Sequence, residues 1–339
     1  MPATVSILLP VFNAASTIEA AVGSCLAQSF GDFELLVIDD GSSDETPLLL
    51  KQLSENDPRM QIISIPHAGV ATAFNEGIKA AKGRFIARMD ADDEMHPKRI
   101  EKQVAFLEQH PSIGVVSCLV QHGGDPEKQE GYATHIHWIN SLVTPEAIAL
   151  NRFVESPVCN PSVLFRAELV EKYGGAREGN FPEDYEMWLR WMDNGVRFEK
   201  IPEVLFTWND LPGRLTRNDP RYSAEAFERA KTGYLAEFIT EQNMRKERPL
   251  FLCGAGRITR KKSAFLVASG LEIGGYVDID PGKIGRNYNG IPVIGLEQLP
   301  PKEKAYVVSY VSNRGAREEI RKILKEKGFE EGSDFVMAG

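Results

Sequence analysis

Hydrophobic positions along the first 110 residues alternate between two periods. Short, almost unbroken apolar runs predict strands at Val5–Val11, Phe33–Ile38, Met60–Ile65 and Arg84–Met89. Between them, apolar residues recur with helical spacing. Ser16–Gln28 carries Ile18, Ala21, Val22, Cys25 and Leu26 on one face, and Val70–Ala81 and Pro97–Gln109 repeat the pattern. Pro97 sits near a first turn, where a missing N–H is harmless. Strands separated by helices at this spacing predict a parallel α/β sheet covered on both faces.

From Gly114 to Trp208 the pattern becomes mixed. "GVVSCLV" reads as a strand, "GGDPEK" as a turn, Ser162–Phe165 as a short strand and Glu183–Asn194 as a helix. A long helix over Arg221–Arg245 runs into the charged stretch "RKER" and Pro249, which predicts a domain boundary. A second α/β unit follows: a strand into "CGAG", a helix over Arg257–Ser269, strands at "EIGGYVDID" and "AYVVSYV", and a helix over Arg314–Lys327. The expected organisation is two domains, 1–245 and 249–339, the second being large enough for a small Rossmann-like fold.

Composition narrows the class. Of 339 residues, 42% are hydrophobic and 26% charged, an ordinary globular balance. No apolar run approaches the roughly 18 residues of a membrane span, and "MPATVSILLPVFN" has neither the basic flank nor the cleavage site of a signal peptide. Cys25, Cys118, Cys159 and Cys253 are far apart without a C-x-x-C pair, which argues against a zinc site or disulfide framework and fits a reducing cytoplasm. The net charge of −9 is uneven, since the segment from Pro249 onward carries 14 Lys+Arg against 11 Asp+Glu. An acidic body lacks the basic track a nucleic acid needs, but a small phosphorylated ligand remains compatible with it if a metal ion supplies charge.

Candidate chemistry sits where the strands end, the place where open parallel sheets bind ligands. "PVFN" (Pro10–Asn13), "DDGSSDET" (Asp39–Thr46) and "DADDE" (Asp90–Glu94) fall at adjacent strand ends on one rim. Taken singly, the second reads as a loop with a helix cap and the third as a solvated acidic turn. Together they favour a hard divalent cation such as Mg²⁺ or Mn²⁺, held by one or two carboxylates and a ligand phosphate. An EF-hand register from Asp90 fails because Met95 stands where the loop needs glycine.

"VSILLPVFNA", "LLVIDDGSSDET", "AFNEGIKAAKGRFIARMDADDEMHPKRI" and "FPEDYEMWLRW" together resemble a family 2 glycosyltransferase of GT-A fold, over roughly residues 4–240. The resemblance implies that Pro10 and Phe12 line a nucleobase pocket and that Asp40 accepts a hydrogen bond from the base, which favours uracil. It implies that Asp90 and Asp92 form a DxD motif, with Asp92 on Mn²⁺ or Mg²⁺, Asp90 on the ribose or a metal-bound water, and Asp93 shaping the turn. Asp184, in the "ED" pair opening a helix, would be the general base that deprotonates an acceptor hydroxyl as it displaces the nucleoside diphosphate with inversion. The plain alternative is that Glu183 and Asp184 are first-turn acids favoured by the helix dipole. Trp188, one turn on, would floor a sugar pocket or belong to the core. Arg214, Thr216 and Arg217 are candidates to reach the diphosphate. Asn160 stands where the family usually has His, and His67, near the donor pocket with no evident partner, reads as a loop histidine.

In the second domain, Gly254 and Gly256 supply two glycines of G-x-G-x-x-G with Thr259 in place of the third, and Asp278 ends the next strand. "GYVDIDPGKIGRNYNGIPVIGLEQLP" resembles nucleotide- or sugar-binding Rossmann-like domains of sugar-modifying enzymes; a structural or oligomerising appendage is the alternative. The expected activity is transfer of a sugar from a nucleotide-sugar donor, a UDP-sugar, to a glycan or lipid-linked acceptor, in the cytoplasm or peripheral to the inner face of the membrane. A nicotinamide-dependent sugar-modifying enzyme and a non-catalytic nucleotide-sugar scaffold are the competing readings. The sequence gives no oligomeric state.

Overall fold

The computed structural model describes residues 3–125, 127–211, 213–243, 247–313 and 315–339, which fall into two compact units. The first comprises 1–149 and 157–222; the second comprises 150–156 and 223–339.

The first unit opens with β1 (Val5–Val11), α1 (Ile18–Leu26), β2 (Phe33–Asp39), α2 (Thr46–Ser54), β3 (Met60–Ser64), α3 (Val70–Ala80) and β4 (Phe85–Arg88). Each strand and helix expected over this stretch is present. Then come β5 (Glu94–Met95), α4 (Arg99–Gln109), β6 (Val115–His122), α5 (Glu130–Ser141), α6 (Pro145–Asn151), β7 (Leu164–Arg166), α7 (Glu168–Tyr173), α8 (Glu183–Asp193), β8 (Phe198–Trp208) and α9 (Leu215–Asn218). The sheet has eight strands in the order β3-β2-β1-β4-β7-β6-β8-β5. β3, β2, β1 and β4 are mutually parallel, β7 runs antiparallel to β4 and β6, and β5 runs antiparallel to β8.

β1 explains the unbroken apolar runs. Ile7 and Leu9 enter one core cluster with Val22 and Cys25, whereas Leu8 enters the other with Ile38, Phe74 and Trp188. A strand buried on both faces has no polar side to alternate with. Beneath the end of β4 lies Arg99, with no exposed surface. Its Nη2 donates to the carbonyls of Arg88 and Val163, both at 3.0 Å, and its Nε donates to Gln103. This buried clamp fixes the strand end from which the acidic stretch departs.

Two details differ from the sequence-based expectation. β5 lies inside "DADDEM", where Glu94 pairs with Thr207 of β8, so the acidic stretch is part of the sheet. β7 begins at Leu164, not Ser162, because Asn160–Ser162 forms a 3₁₀ turn in which the Ser162 hydroxyl donates to the Cys159 carbonyl.

The second unit contains α10 (Ala224–Asn243), β9 (Leu250–Cys253), α11 (Arg257–Ala268), β10 (Ile273–Val277), β11 (Asn287–Tyr288), β12 (Ile291–Ile294), β13 (Tyr306–Ser309), α12 (Ala316–Glu326) and β14 (Phe335–Met337). Its six-stranded sheet has the order β11-β12-β10-β9-β13-β14, parallel except for β11. By contacts, α10 and residues 150–156 group with this unit, so the division falls before the boundary at 245–249 read from the charged run. Lys231 of α10 shows why: its buried Nζ donates to the carbonyls of Phe153 at 2.9 Å and Ala338 at 2.6 Å. Arg245 and Arg314, expected as helix ends, lie outside the described residues.

Candidate functional site

The carboxyl ends of β1, β2 and β4 adjoin, as expected, and the loops beyond them are stitched together. Asn13 holds a left-handed φ of 48°; its side chain accepts from the Ser43 N–H at 2.8 Å while its own N–H donates to Ser42 Oγ at 2.9 Å. The Ala14 N–H donates to Thr46 Oγ1, and the Ala15 N–H to Asp44. Most of "DDGSSDET" is therefore a frame.

Asp40 is the exception within it. Its carboxylate, 3% exposed, accepts from the N–H groups of Ala68 at 2.7 Å and Gly69 at 2.9 Å, and lies 3.0 Å from His67 Nδ1. The His67 ring stacks on Phe12 with centroids 4.1 Å apart, and Phe12 leaves 46% of its surface open. His67, read from the sequence as a surface or satisfied loop histidine, is partnered by Asp40 and Phe12. Gly41 permits the arrangement: its φ is 71°, and a Cβ there would stand 2.7 Å from the His67 nitrogen. Pro10, half-buried, precedes the turn at the end of β1.

The acidic stretch resolves into distinct environments. Asp90 pairs with Arg88, Oδ1 to Nη2 at 3.0 Å. Asp92 is pushed up to about 6, by burial first and by the charge of Asp90 second, with Arg214 opposing. Asp93, 2% exposed, is raised well above the usual carboxyl range by burial and by the charges of Asp92 and Asp90. Asn209 secures the turn, its N–H donating to Asp93 Oδ1 at 2.8 Å and its side-chain amide to the Asp92 carbonyl at 2.7 Å. Arg214 is held between aromatic faces, 4.9 Å from the Tyr132 ring and 4.8 Å from the Trp208 ring, with Asp210 Oδ1 at 3.6 Å. Two guanidinium groups of the chain itself thus face the acids. Among the described residues no three His, Cys, Asp or Glu side chains gather into a metal cage. A repelling carboxylate pair at a strand end fits a hard cation shared with a ligand's phosphates.

Asp184 opens α8, and its Oδ1 accepts from the Tyr185 N–H at 2.7 Å. Its carboxyl is pushed up to about 7, by burial first and by neighbouring Glu183 second, while Arg88 pulls it down and Asp90 adds to the rise. The two acid centres therefore share one electrostatic environment, with Arg88 acting on both. Glu183 accepts from the Tyr222 hydroxyl at 2.6 Å. Trp188 has no exposed surface and packs edge-on against Phe165, Trp191 and Phe198, which makes it core. Thr216 and Arg217 lie on α9, where Arg217 pairs with Asp210; Asn160 starts the 3₁₀ turn before β7. Pro212 lies outside the described residues.

Arg88 and Asn209, which contact the candidate acids, were not singled out from the sequence. The period of two along a strand offered a signal for Arg88, since residues 88 and 90 share a face.

In the second unit, Gly254 has φ 93° and a Cβ there would meet Thr259 Oγ1 at 2.9 Å, while Gly256 caps α11 without a side-chain bond. Asp278 accepts from the N–H groups of Ala255 at 2.7 Å and Asp280 at 2.9 Å, and from Lys283 at 3.1 Å. Burial alone would raise this carboxyl, but those bonds outweigh it and hold it below the usual range. Asp278 thus braces the glycine turn.

A sheet whose β1–β4 end carries these acids defines a nucleotide-diphospho-sugar transferase fold of GT-A type, and the solved structures agree. Staphylococcus aureus TarS 1–349 in complex with UDP-GlcNAc superimposes with a TM-score of 0.57 at 18% identity, covering 79% of this chain and 71% of that one. The Pyrobaculum calidifontis mannosyltransferase PcManGT, in complex with GDP-Man and Mn²⁺, gives 0.50 at 20% identity, covering 79% and 69%. The profile described as Glycosyl transferase family 2 matches residues 6–174. An uncharacterized glycosyltransferase of Haemophilus influenzae is 31% identical over 235 residues, 67% of this chain and 71% of that protein. The O-antigen biosynthesis glycosyltransferase WbnJ of Escherichia coli is 26% identical over 245 residues, 71% and 91%. The chain belongs to glycosyl transferase family 2.

Proposed function

We propose that the chain is an inverting, metal-dependent glycosyltransferase that moves a hexosyl group from a UDP-sugar to an acceptor hydroxyl in glycan, glycolipid or cell-envelope synthesis. The observation carrying this reading is the pairing of a repelling, half-buried Asp90–Asp92 set with a separate carboxylate, Asp184, whose affinity for a proton is raised to the neutral range. A group with that affinity can take a hydroxyl proton near neutral pH. Its distinct position on α8 suits attack from the side opposite the leaving group.

Phe12 and His67 form the shelf on which the base stacks, beside Pro10. The Asp40 carboxylate accepts two main-chain N–H groups, while His67 Nδ1 stands between it and the Asp40 carbonyl, so the carboxylate keeps acceptor capacity for an imino N–H such as that of uracil. Asp92, with Asp90 beside it, would hold Mn²⁺ or Mg²⁺; when bound, such an ion supplies positive charge to a departing diphosphate. Arg214, fixed between two rings, presents a guanidinium to the same phosphates. The role of the Escherichia coli relative in O-antigen biosynthesis supports an envelope glycan as product. No helix among the described residues is long and apolar enough to cross a membrane; on this reading a lipid-linked acceptor is met at a membrane surface. Gly254, Gly256 and Asp278 form a glycine turn of Rossmann type that would serve nucleotide or sugar binding in the second unit, or structure alone.

Calorimetric titration with UDP, GDP and dTDP, with and without Mn²⁺, tests the donor half. Tight binding of UDP only with Mn²⁺ is expected, and metal-independent binding would overturn the metal assignment. Asp184→Asn is expected to keep nucleotide binding and lose transfer; normal transfer by that variant would remove Asp184 from the mechanism. Nicotinamide fluorescence titration covers the alternative chemistry, and saturable binding would revive it.

A further inference from the structure

Ile279, 80% exposed, and Ile258, 70% exposed, are the two most exposed large apolar side chains among the described residues. Both stand on one rim of the second sheet. β9 and β10 run parallel with Cys253 opposite Val277, so the loops that follow them leave the sheet on the same side. The Ala255 N–H donates to Asp278 at 2.7 Å and ties those loops together. Ile258 lies in the first turn of α11, and Ile279 directly follows Asp278. Ile284, 37% exposed, comes from the same loop, next to the Lys283 that donates to Asp278. Single exposed apolar residues are ordinary on a protein surface, but three isoleucines on one rim are not scattered.

Cations surround this rim. Arg257 opens α11 and Arg260 lies one turn on, its guanidinium over the Tyr288 ring at 3.9 Å and its Nε buried without a hydrogen-bond partner. Arg286, whose carbonyl accepts from the Val293 N–H, continues the β11 ribbon, and residues 286 and 288 share a face. The nearby lysines are committed: Lys261 to Glu225 at 2.7 Å, Lys262 to Glu228 at 3.2 Å, and Lys283 to Asp278 at 3.1 Å and Asp280 at 3.5 Å. No carboxylate among the described residues pairs with Arg257, Arg260 or Arg286. From Pro249 onward the sequence carries 14 Lys+Arg against 11 Asp+Glu, in a chain whose net charge is −9. Unpaired positive charge is thus gathered where apolar surface is exposed. Guanidinium groups recognise phosphate oxygens. Isoleucines this exposed project outward and form no walls of a pocket, so the surface suits an extended partner. An anionic bilayer surface takes up both features.

We propose that this rim of the second unit docks on a membrane surface rich in anionic phospholipid. Arg257, Arg260 and Arg286 contact the headgroup phosphates, while Ile258, Ile279 and Ile284 enter the boundary of the acyl chains. The inference stands apart from the reading of the first unit as a UDP-sugar transferase, because docking needs neither donor nor acceptor. It gives a chain with no membrane-crossing helix among its described residues a way to reside at a bilayer.

The full chain is mixed with vesicles of phosphatidylcholine containing about one-third phosphatidylglycerol, or of phosphatidylcholine alone, and binding is read by cosedimentation. Wild type should bind the anionic vesicles at least about 10-fold more tightly, and salt at about 0.5 M should release it. Equal partitioning to both, or binding to neither, would overturn the proposal. Arg257→Gln/Arg286→Gln should weaken binding about 30-fold, each arginine near an anionic surface being worth about fivefold. Ile258→Ser/Ile279→Ser should weaken it at least about 10-fold. Leu48→Ser, at a residue 58% exposed on α2, should change nothing. All five positions lie at the surface, so melting temperatures should stay near wild type; the salt and lipid dependence of wild type decides the question should a variant misfold. Unchanged binding by either folded double variant, or an equal loss in Leu48→Ser, would count against the rim. Release by millimolar inorganic phosphate or pyrophosphate at constant ionic strength would assign the arginines to a soluble phosphate compound instead. A dimer in light scattering that both double variants abolish would assign the rim to a second copy of the chain, and either result overturns the proposal.

Discussion

Asp184 offers a prediction in which stability and activity move in opposite directions. Its carboxyl has an ordinary value of 3.8 and is pushed up to about 7 in the fold, by burial and by Glu183. The folded state therefore binds a proton more tightly than the unfolded chain between those two values. The stability this group contributes is fully present below about pH 4 and is lost as pH rises through about 7. Each tenfold change in proton affinity is worth about 1.4 kcal/mol, so the ionised carboxylate at pH 8 costs about 4 kcal/mol at most. Relaxation of Glu183 and water entry reduce that, and about 2 kcal/mol is the working figure. Asp184→Asn removes the charge while keeping shape and the acceptor for the Tyr185 N–H. At pH 8 it should raise Tm by about 4–8 °C, taking about 2–4 °C per kcal/mol for a unit of this size. At pH 4, where the carboxyl is protonated in the fold and close to half protonated in the unfolded chain, the gain should shrink to about 1–2 °C. Differential scanning fluorimetry at both pH values measures this. A destabilised variant at pH 8, or the same gain at both, would refute the argument that the fold bears an electrostatic load at Asp184.

Three further outcomes follow from the geometry. Asp92→Ala should weaken Mn²⁺-dependent nucleotide binding at least about 100-fold while raising apo stability at pH 8, because an acid raised to about 6 is also strained when charged; calorimetry and melting curves test the two parts. Gly41→Ala should cost about 1–3 kcal/mol and displace His67, since its φ of 71° and the 2.7 Å approach both exclude a Cβ; urea unfolding and nucleotide affinity should fall together. Lys200, 2% exposed, donates to the carbonyls of Ile139 and Pro157, so Lys200→Met should cost about 3 kcal/mol by leaving both unpaired, with no change in nucleotide affinity per folded molecule.

The first sheet was legible because its strands are buried on both faces. An apolar run such as "VSILLPV" has no competing helical period, and the glycine- and acid-rich turns mark its end. The rim was legible for the same reason, since adjacent parallel strands deliver their loops to one edge. What could not be read were the partners of the site side chains. His67 is joined to Asp40 and Phe12 only through folding, and Asn209 meets Asp92 and Asp93 from 116 residues away. α5 mixes polar and aromatic residues that blur any period, and α6 has only seven residues. The charged run after α10 drew the expected boundary too late, because Lys231, which reads as a surface residue, is buried against the carbonyls of Phe153 and Ala338.

The stitching between the β1 and β2 loops has a practical consequence. Asn13, Ser42, Ser43, Asp44 and Thr46 are committed to one another, whereas Phe12 is 46% exposed and stacks its ring on His67. Frame and shelf are thus separable modules. On the proposed reading, a library confined to positions 12 and 67 would vary the choice of donor base while the loop architecture stays constant.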